Sequence, residues 1–175
     1  LVRDFGEIEQ LQVSKKGPAD FASTADHAAE RTLVRELGHG RPGYGMLLEE
    51  RGAIEGTDER HRWIVDPLDG TLNFLHGLPH FAISIALERD GQLVAGVIHD
   101  PIRHETFWAE KGAGAYLNDQ RLRVSSRRRL AESVVATGIP FMAHGEHGRF
   151  LAQLEAVMPE VAGVRRFGAA ALDLA

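Results

Sequence analysis

Two carboxylates three positions apart, Asp66 and Asp69, run directly into Gly70 and Thr71, and these four are the residues best suited to chemistry. Asp66 and Asp69 offer hard oxygen ligands of the kind Mg²⁺ prefers. Gly70 lets the backbone come close to an anion and exposes amides just ahead of an expected helix start. A phosphate bridging a metal ion and those amides is the natural ligand for such a run. The preceding Trp63, Ile64 and Val65 are strand formers, and Pro67 cannot donate to a sheet ladder, so the strand is expected to end at Asp66. Asp-Pro and Asp-Gly pairs are also ordinary turn chemistry. A calcium loop is excluded, because Leu68 and Gly70 stand where it would need oxygen-bearing side chains.

Further carboxylates stand at Glu49 and Glu50, and at Asp20 and Asp26 around an expected helix start. Taken singly, each has a plain structural reading. Ser23-x-x-Asp26 resembles a capping box, and the glutamate pair reads as solvated charge entering a loop. Other patterns are decoys. Gly38-His39-Gly40-Arg41-Pro42-Gly43 satisfies GxGxxG, but it follows a helix, precedes a strand and contains a proline, which is the wrong context for a dinucleotide. His76 and His80 are four apart and His144 and His147 three apart, yet Gly77 and Pro79 break the first spacing and no third zinc ligand is near either pair. There is no GxSxG elbow and no phosphate-loop lysine motif.

The elements that must position these groups follow from periodicity. Ala25, Ala28, Ala29, Leu33, Val34 and Leu37 predict a helix over Thr24 to Leu37 with Ser23 as its N-cap. A strand is expected at Tyr44 to Glu49. Phe81 to Leu87 and Leu93 to Ile98 alternate around Asp90-Gly91 and predict a hairpin. Shorter strands are expected at Glu105 to Ala109, Ala115 to Leu117 and Leu122 to Ser125, with a turn at Asn118-Asp119. From Ser133 the pattern changes to a short apolar strand, Val134 to Ala136, and a helix marked by Phe150, Leu151, Leu154, Val157 and Met158. Residues 1–130 thus read as an α+β domain with a mostly antiparallel sheet and the metal site, and residues 131–175 as the start of an α/β domain.

Composition bounds the function classes. The 175 residues, 43% hydrophobic and 26% charged, describe a soluble globular chain. No apolar run could cross a bilayer. With no cysteines, disulfides and thiolate metal sites are excluded, which fits a reducing cytoplasm. A net charge of −5 and a pI near 6.0 argue against a nucleic-acid binder, with Arg127-Arg128-Arg129 as a local exception. The chain opens on Leu1 and closes on the apolar run Gly168 to Ala175 with no C-terminal cap, so it reads as cut at both ends.

In order, Asp20 to Asp26, Glu49-Glu50, Trp63 to Phe74, Val94 to Val97, Lys111 to Ala115 and Gly168 to Leu174 resemble the inositol monophosphatase family over essentially the whole chain. The resemblance implies a layered α-β-α-β-α sandwich, α+β leading into α/β, with its C-terminal α/β part incomplete. It implies that Glu49, Asp66 and the Leu68 carbonyl hold one Mg²⁺ and that Asp66 and Asp69 share in a second. Thr71, oriented by Asp26, would position the attacking water, and the Gly70 and Thr71 amides would receive the phosphate. Gly168 and Ala169 would approach an inositol ring, and Lys16 has a weak match to a phosphate contact. The implied reaction is Mg²⁺-dependent hydrolysis of a small phosphate monoester, myo-inositol 1-phosphate, by a cytoplasmic homodimer. Alternatives are a nucleotide bisphosphate or fructose bisphosphate phosphatase, or a regulatory partner of the transcription machinery acting on ribosomal RNA synthesis.

Three residues depart from the family pattern. Leu48 replaces a glycine and is expected to add bulk beside the first metal ligand, Ser23 replaces a threonine while keeping the hydroxyl, and Leu72 replaces a threonine. The family's last metal-binding aspartate and a sugar-contacting glutamate would lie beyond Ala175. The 175-residue piece is therefore expected to be nearly inactive by itself.

Overall fold

The computed structural model describes residues 1–7, 13–17, 20–140 and 145–175, with the side chains of 13–17 and 20–22 left aside. A short helix α1 (Val2–Phe5) precedes a β-hairpin, β1 (Val13–Gly17) and β2 (Asp20–Ser23). The helix α2 (Thr24–Gly40) follows, then β3 (Tyr44–Leu48), β4 (Gly52–Ile54), the long β5 (Asp58–Asp69) and α3 (Thr71–Leu75). Next come β6 (Ala82–Arg89), β7 (Gln92–Asp100), β8 (Glu105–Glu110), β9 (Gly114–Leu117) and β10 (Gln120–Arg121). The last elements are β11 (Val134–Ala136), α4 (His147–Val157), β12 (Gly163–Arg165) and α5 (Ala170–Leu174).

Strands β3 to β10 form one eight-stranded sheet in the order β10-β9-β8-β7-β6-β5-β3-β4. Every pairing in it is antiparallel except β3 with β5. Because β3 and β5 run the same way, both deliver their C-terminal ends, and the acidic residues there, to one edge of the sheet. The β6–β7 turn follows from Asp90-Gly91, whose φ angles of 51° and 75° are both positive, as a tight two-residue hairpin turn requires.

Helix α2 starts where expected. The Ser23 side chain accepts from the Ala25 and Asp26 amides while Asp26 accepts from the Ser23 amide, a complete capping box. Its apolar stripe, Leu33, Val34 and Leu37, packs on Met46, Leu48 and Val65. A second cluster joins Ala25, Leu68, Phe74 and Phe81, with Phe5 against it. The Phe74 and Phe81 rings meet edge to face at 5.0 Å, and burying each fully stabilises the fold by roughly 1.5–3 kcal/mol. This cluster sits directly beneath the Asp66–Thr71 segment.

Several expectations need correction. The strand through Trp63 to Val65 does not stop at Asp66; β5 continues to Asp69, with a register shift between Asp66 and Asp69 where it pairs with β6. Pro67 is tolerated because the bulge frees it from the ladder. Strand β3 ends at Leu48, so Glu49 stands in the turn that follows. The strand expected at Leu122 to Ser125 is absent; β10 ends at Arg121 and the exposed segment after it has no regular structure. Strand β12 had no clear signal and forms because Val134–Ala136 supplies a parallel partner for Gly163–Arg165 across α4.

Candidate functional site

Asp26 is fully buried in the first turn of α2. Its Oδ2 accepts from the Ser23 amide at 2.8 Å and from the Ser23 hydroxyl. Its Oδ1 accepts from the Thr71 hydroxyl at 3.1 Å, across 45 residues of sequence. One oxygen of Asp26 thus serves the helix cap and the other reaches Thr71. Thr71 Oγ1 also lies 2.9 Å from the Leu68 carbonyl. A hydroxyl has one proton, so these two acceptors compete for it.

The Leu68 side chain is packed in the core, and its carbonyl faces Thr71. Asp66 Oδ1 accepts from the Leu68 amide at 3.0 Å, closing a tight loop over Pro67. Burial and then the charge of Asp69 push the Asp66 carboxyl up to about 6, against hydrogen bonds from the Leu68 amide and the Glu49 side chain that lower it. Burial also raises Asp69 above the ordinary carboxylate range, although the Ala171 and Ala170 amides oppose this. Asp69 Oδ2 accepts from the Ala171 amide at 2.7 Å, so the first turn of α5 is tied to the loop 102 residues earlier.

The Gly168–Ala169 segment reaches the same place. Asn73 Nδ2 donates to the His80 and Phe167 carbonyls, each at 2.8 Å, and so joins α3 to the loop before α5. Gly70 has φ 90°, and a Cβ there would lie 3.2 Å from the Ala169 Cβ. Ala169 is fully buried, backbone included. Leu48 adds its bulk to the core. It is buried among Met46, Val65 and the α2 stripe, because alternation along β3 turns it to the helix side.

The residues fit a divalent cation by the chemistry of their donors. Glu49 stands within interaction reach of Asp66, and burial raises both Asp66 and Asp69 above the ordinary carboxylate range. A bound cation would offset the cost of that crowded charge. All the donors are oxygen, as Mg²⁺ requires. Among the described residues, no three acidic or histidine side chains converge closely enough to chelate one ion as they stand.

Some sequence candidates lie elsewhere. Lys16 and Asp20 fall in β1 and β2, whose side chains are outside those described, and His144 lies outside the described residues. Arg127, Arg128 and Arg129 are exposed, with Arg129 paired to Glu132. His76 and His80 do not converge: α3 ends at Leu75 and Gly77 turns with φ 70°. Sequence reading missed Asn73, Glu30 and the network of Asp100, Arg103 and His80. The one available signal was Glu30, four residues after Asp26 on the same helix face.

The family model for inositol monophosphatases matches residues 2–175. The chain belongs to the inositol monophosphatase family. An inositol-1-monophosphatase of Mesorhizobium japonicum is 60% identical over 175 residues, which are all of this chain and 66% of that protein. The Nus factor SuhB of Escherichia coli is 40% identical over 175 residues, again 66% of its length. The crystal structure of the extragenic suppressor protein suhB from Bartonella henselae superposes with a TM-score of 0.96 at 58% identity, covering 99% of this chain and 66% of that one. The chain therefore spans just under two thirds of the length of these relatives. The layered sandwich of the family and the mixed sheet flanked by helices agree.

Proposed function

We propose that these residues form part of the active site of a Mg²⁺-dependent phosphate monoesterase whose substrate is myo-inositol 1-phosphate. The observation that carries this reading is the Thr71 hydroxyl, held by a fully buried Asp26 beside two partly buried carboxylates of raised pKa. The 60% identity to a protein named inositol-1-monophosphatase supports the substrate. Glu49, Asp66 and the Leu68 carbonyl would hold one Mg²⁺, and Asp66 with Asp69 a second. Bound there, the ions would supply Lewis-acid activation and charge neutralisation for phosphoryl transfer.

The protein's own contribution is positioning and proton handling. With the Thr71 proton donated to Asp26, a lone pair of the Thr71 oxygen is available to accept from a water and so aim it. Asp26 is preset for this, because Ser23 occupies its other oxygen. Gly70 and Thr71 open α3, where amides have no intrahelical acceptor, and these would receive the phosphate. Gly168 would contact the inositol ring, and the fully buried Ala169 would back it. We further read the protein as a cytoplasmic homodimer with a division near residue 130. The eight-stranded sheet lies wholly before that point and the parallel β11–β12 pair wholly after it, which supports the division. No described helix is long and apolar enough to cross a membrane.

The test is phosphate release by the protein from myo-inositol 1-phosphate, fructose 1,6-bisphosphate and a nucleotide bisphosphate, with and without Mg²⁺. Thr71→Ala and Asp26→Asn should each lower kcat about 10²–10⁴-fold with little change in KM. Preference for either bisphosphate would overturn the substrate, and full activity of both variants would overturn the roles.

A further inference from the structure

Helix α2 buries two acids on one face, Asp26 and, one turn on, Glu30, both with no solvent exposure. That face of an amphipathic helix is where apolar residues belong, and a buried charge persists only when paired. Asp26 is accounted for by Ser23 and Thr71. Glu30 spends its carboxylate on a different target. Its Oε2 accepts from the Glu50 amide at 2.9 Å, and its Oε1 lies 3.1 Å from Nε of Arg51. These are the two residues that follow Glu49.

The turn is thereby clasped on both sides. The Glu49 amide donates to the Val65 carbonyl at 3.2 Å, next to Asp66, and the next amide is fixed by Glu30. His27, one residue after Asp26 on the same helix, adds an approach of Nδ1 to Glu50 Oε2 at 3.8 Å. Glu49 stands in a turn on the sheet edge, where the strand no longer dictates its direction. We infer that Glu30 is a positioning residue: through the Glu50 amide and Arg51 it sets the backbone of the Glu49 turn and aims the Glu49 carboxylate at Asp66. One face of α2 then governs both halves of the candidate site, Asp26 for the Thr71 hydroxyl and Glu30 for the acidic turn.

This inference rests on the divalent-cation reading above, and the experiment separates the two. Mn²⁺ and Mg²⁺ binding to the 175-residue chain would be measured by titration calorimetry, alongside thermal melting. Glu30→Gln keeps an acceptor for the Glu50 amide but loses the charge that holds Arg51. It should weaken cation binding about 10-fold at a temperature where the variant is fully folded. Glu36→Gln, on the exposed face of the same helix, should bind as the parent does. If Glu30→Gln does not fold, Arg51→Lys, which keeps a positive charge but removes the Nε that lies 3.1 Å from Glu30 Oε1, should weaken binding several-fold. A folded Glu30→Gln, or Arg51→Lys in its place, that binds with parental affinity overturns the positioning role alone. A parent chain that binds neither cation overturns the functional reading and this inference together.

Discussion

At Asp66 the site is costly in the absence of a cation. Its carboxyl is pushed from 3.8 to about 6 by burial and by Asp69. Between those two values the folded chain holds a proton that the unfolded chain has lost, so this group's stabilising contribution is complete below 3.8 and lost as pH rises through about 6. The metal-free chain should therefore lose this contribution between about pH 4 and pH 6. Asp66→Asn should raise the metal-free stability at pH 7.5 by on the order of 1–3 kcal/mol, read as a higher Tm, while abolishing the Tm gain that Mg²⁺ gives the parent. A variant that melts below the metal-free parent, or still responds to Mg²⁺, would contradict this reading. Asp100 behaves in the opposite sense. Burial raises its pKa, but the Arg103 amide and guanidinium and the Ile102 amide outweigh that and hold it low. Its contribution is thus present at neutral pH and lost only in acid.

At the scale of elements, α3 and the loop before α5 depend on each other. Gly70 must adopt φ 90°, and any Cβ there would press on the His80 carbonyl at 3.1 Å and the Phe81 Cα at 3.3 Å. Gly70→Ala should cost at least ~1 kcal/mol, read as a lower midpoint in urea. Asn73 is the other half of the joint. Asn73→Ala removes the donor from the His80 and Phe167 carbonyls, at about 1–3 kcal/mol for each group left unsatisfied. Because Phe167 follows Arg165 and Arg166, the loosened loop should be cut by trypsin there several times faster than in the parent, and an unchanged cleavage rate would show that the joint is held some other way. The bulge in β5 belongs to the same scale, since it lets one strand present Asp66, the Leu68 carbonyl and Asp69 in succession.

For the whole molecule, the chain's span of 66% of its relatives sets a clear expectation. The 175-residue chain should bind a divalent cation yet turn over myo-inositol 1-phosphate at least about 10²-fold more slowly than a full-length relative, and family-like turnover by the chain would refute this. Much of the arrangement was legible in local patterns. The 3.6-residue stripe of α2, the Asp90-Gly91 hairpin and the alternation of β6 and β7 each follow from interactions within a few residues, so the sequence determined them by itself. It also determined the chemistry on offer at Asp66, Asp69 and Thr71, because donor type is a property of the side chain. Where β5 ends was not legible, since Pro67 is permitted only by a bulge that exists against β6. Nor was the direction of Leu48, which depends on α2 lying over β3. Strand β12 needed a partner 29 residues away in register, Val134 against Gly163. Only the tertiary structure decided that Asp26 meets Thr71, that Glu30 grips the turn after Glu49, and that Asp69 holds the start of α5. Those pairings join residues 20 to 102 positions apart, and such contacts form only when packing of the core has already set the helices and strands that carry them.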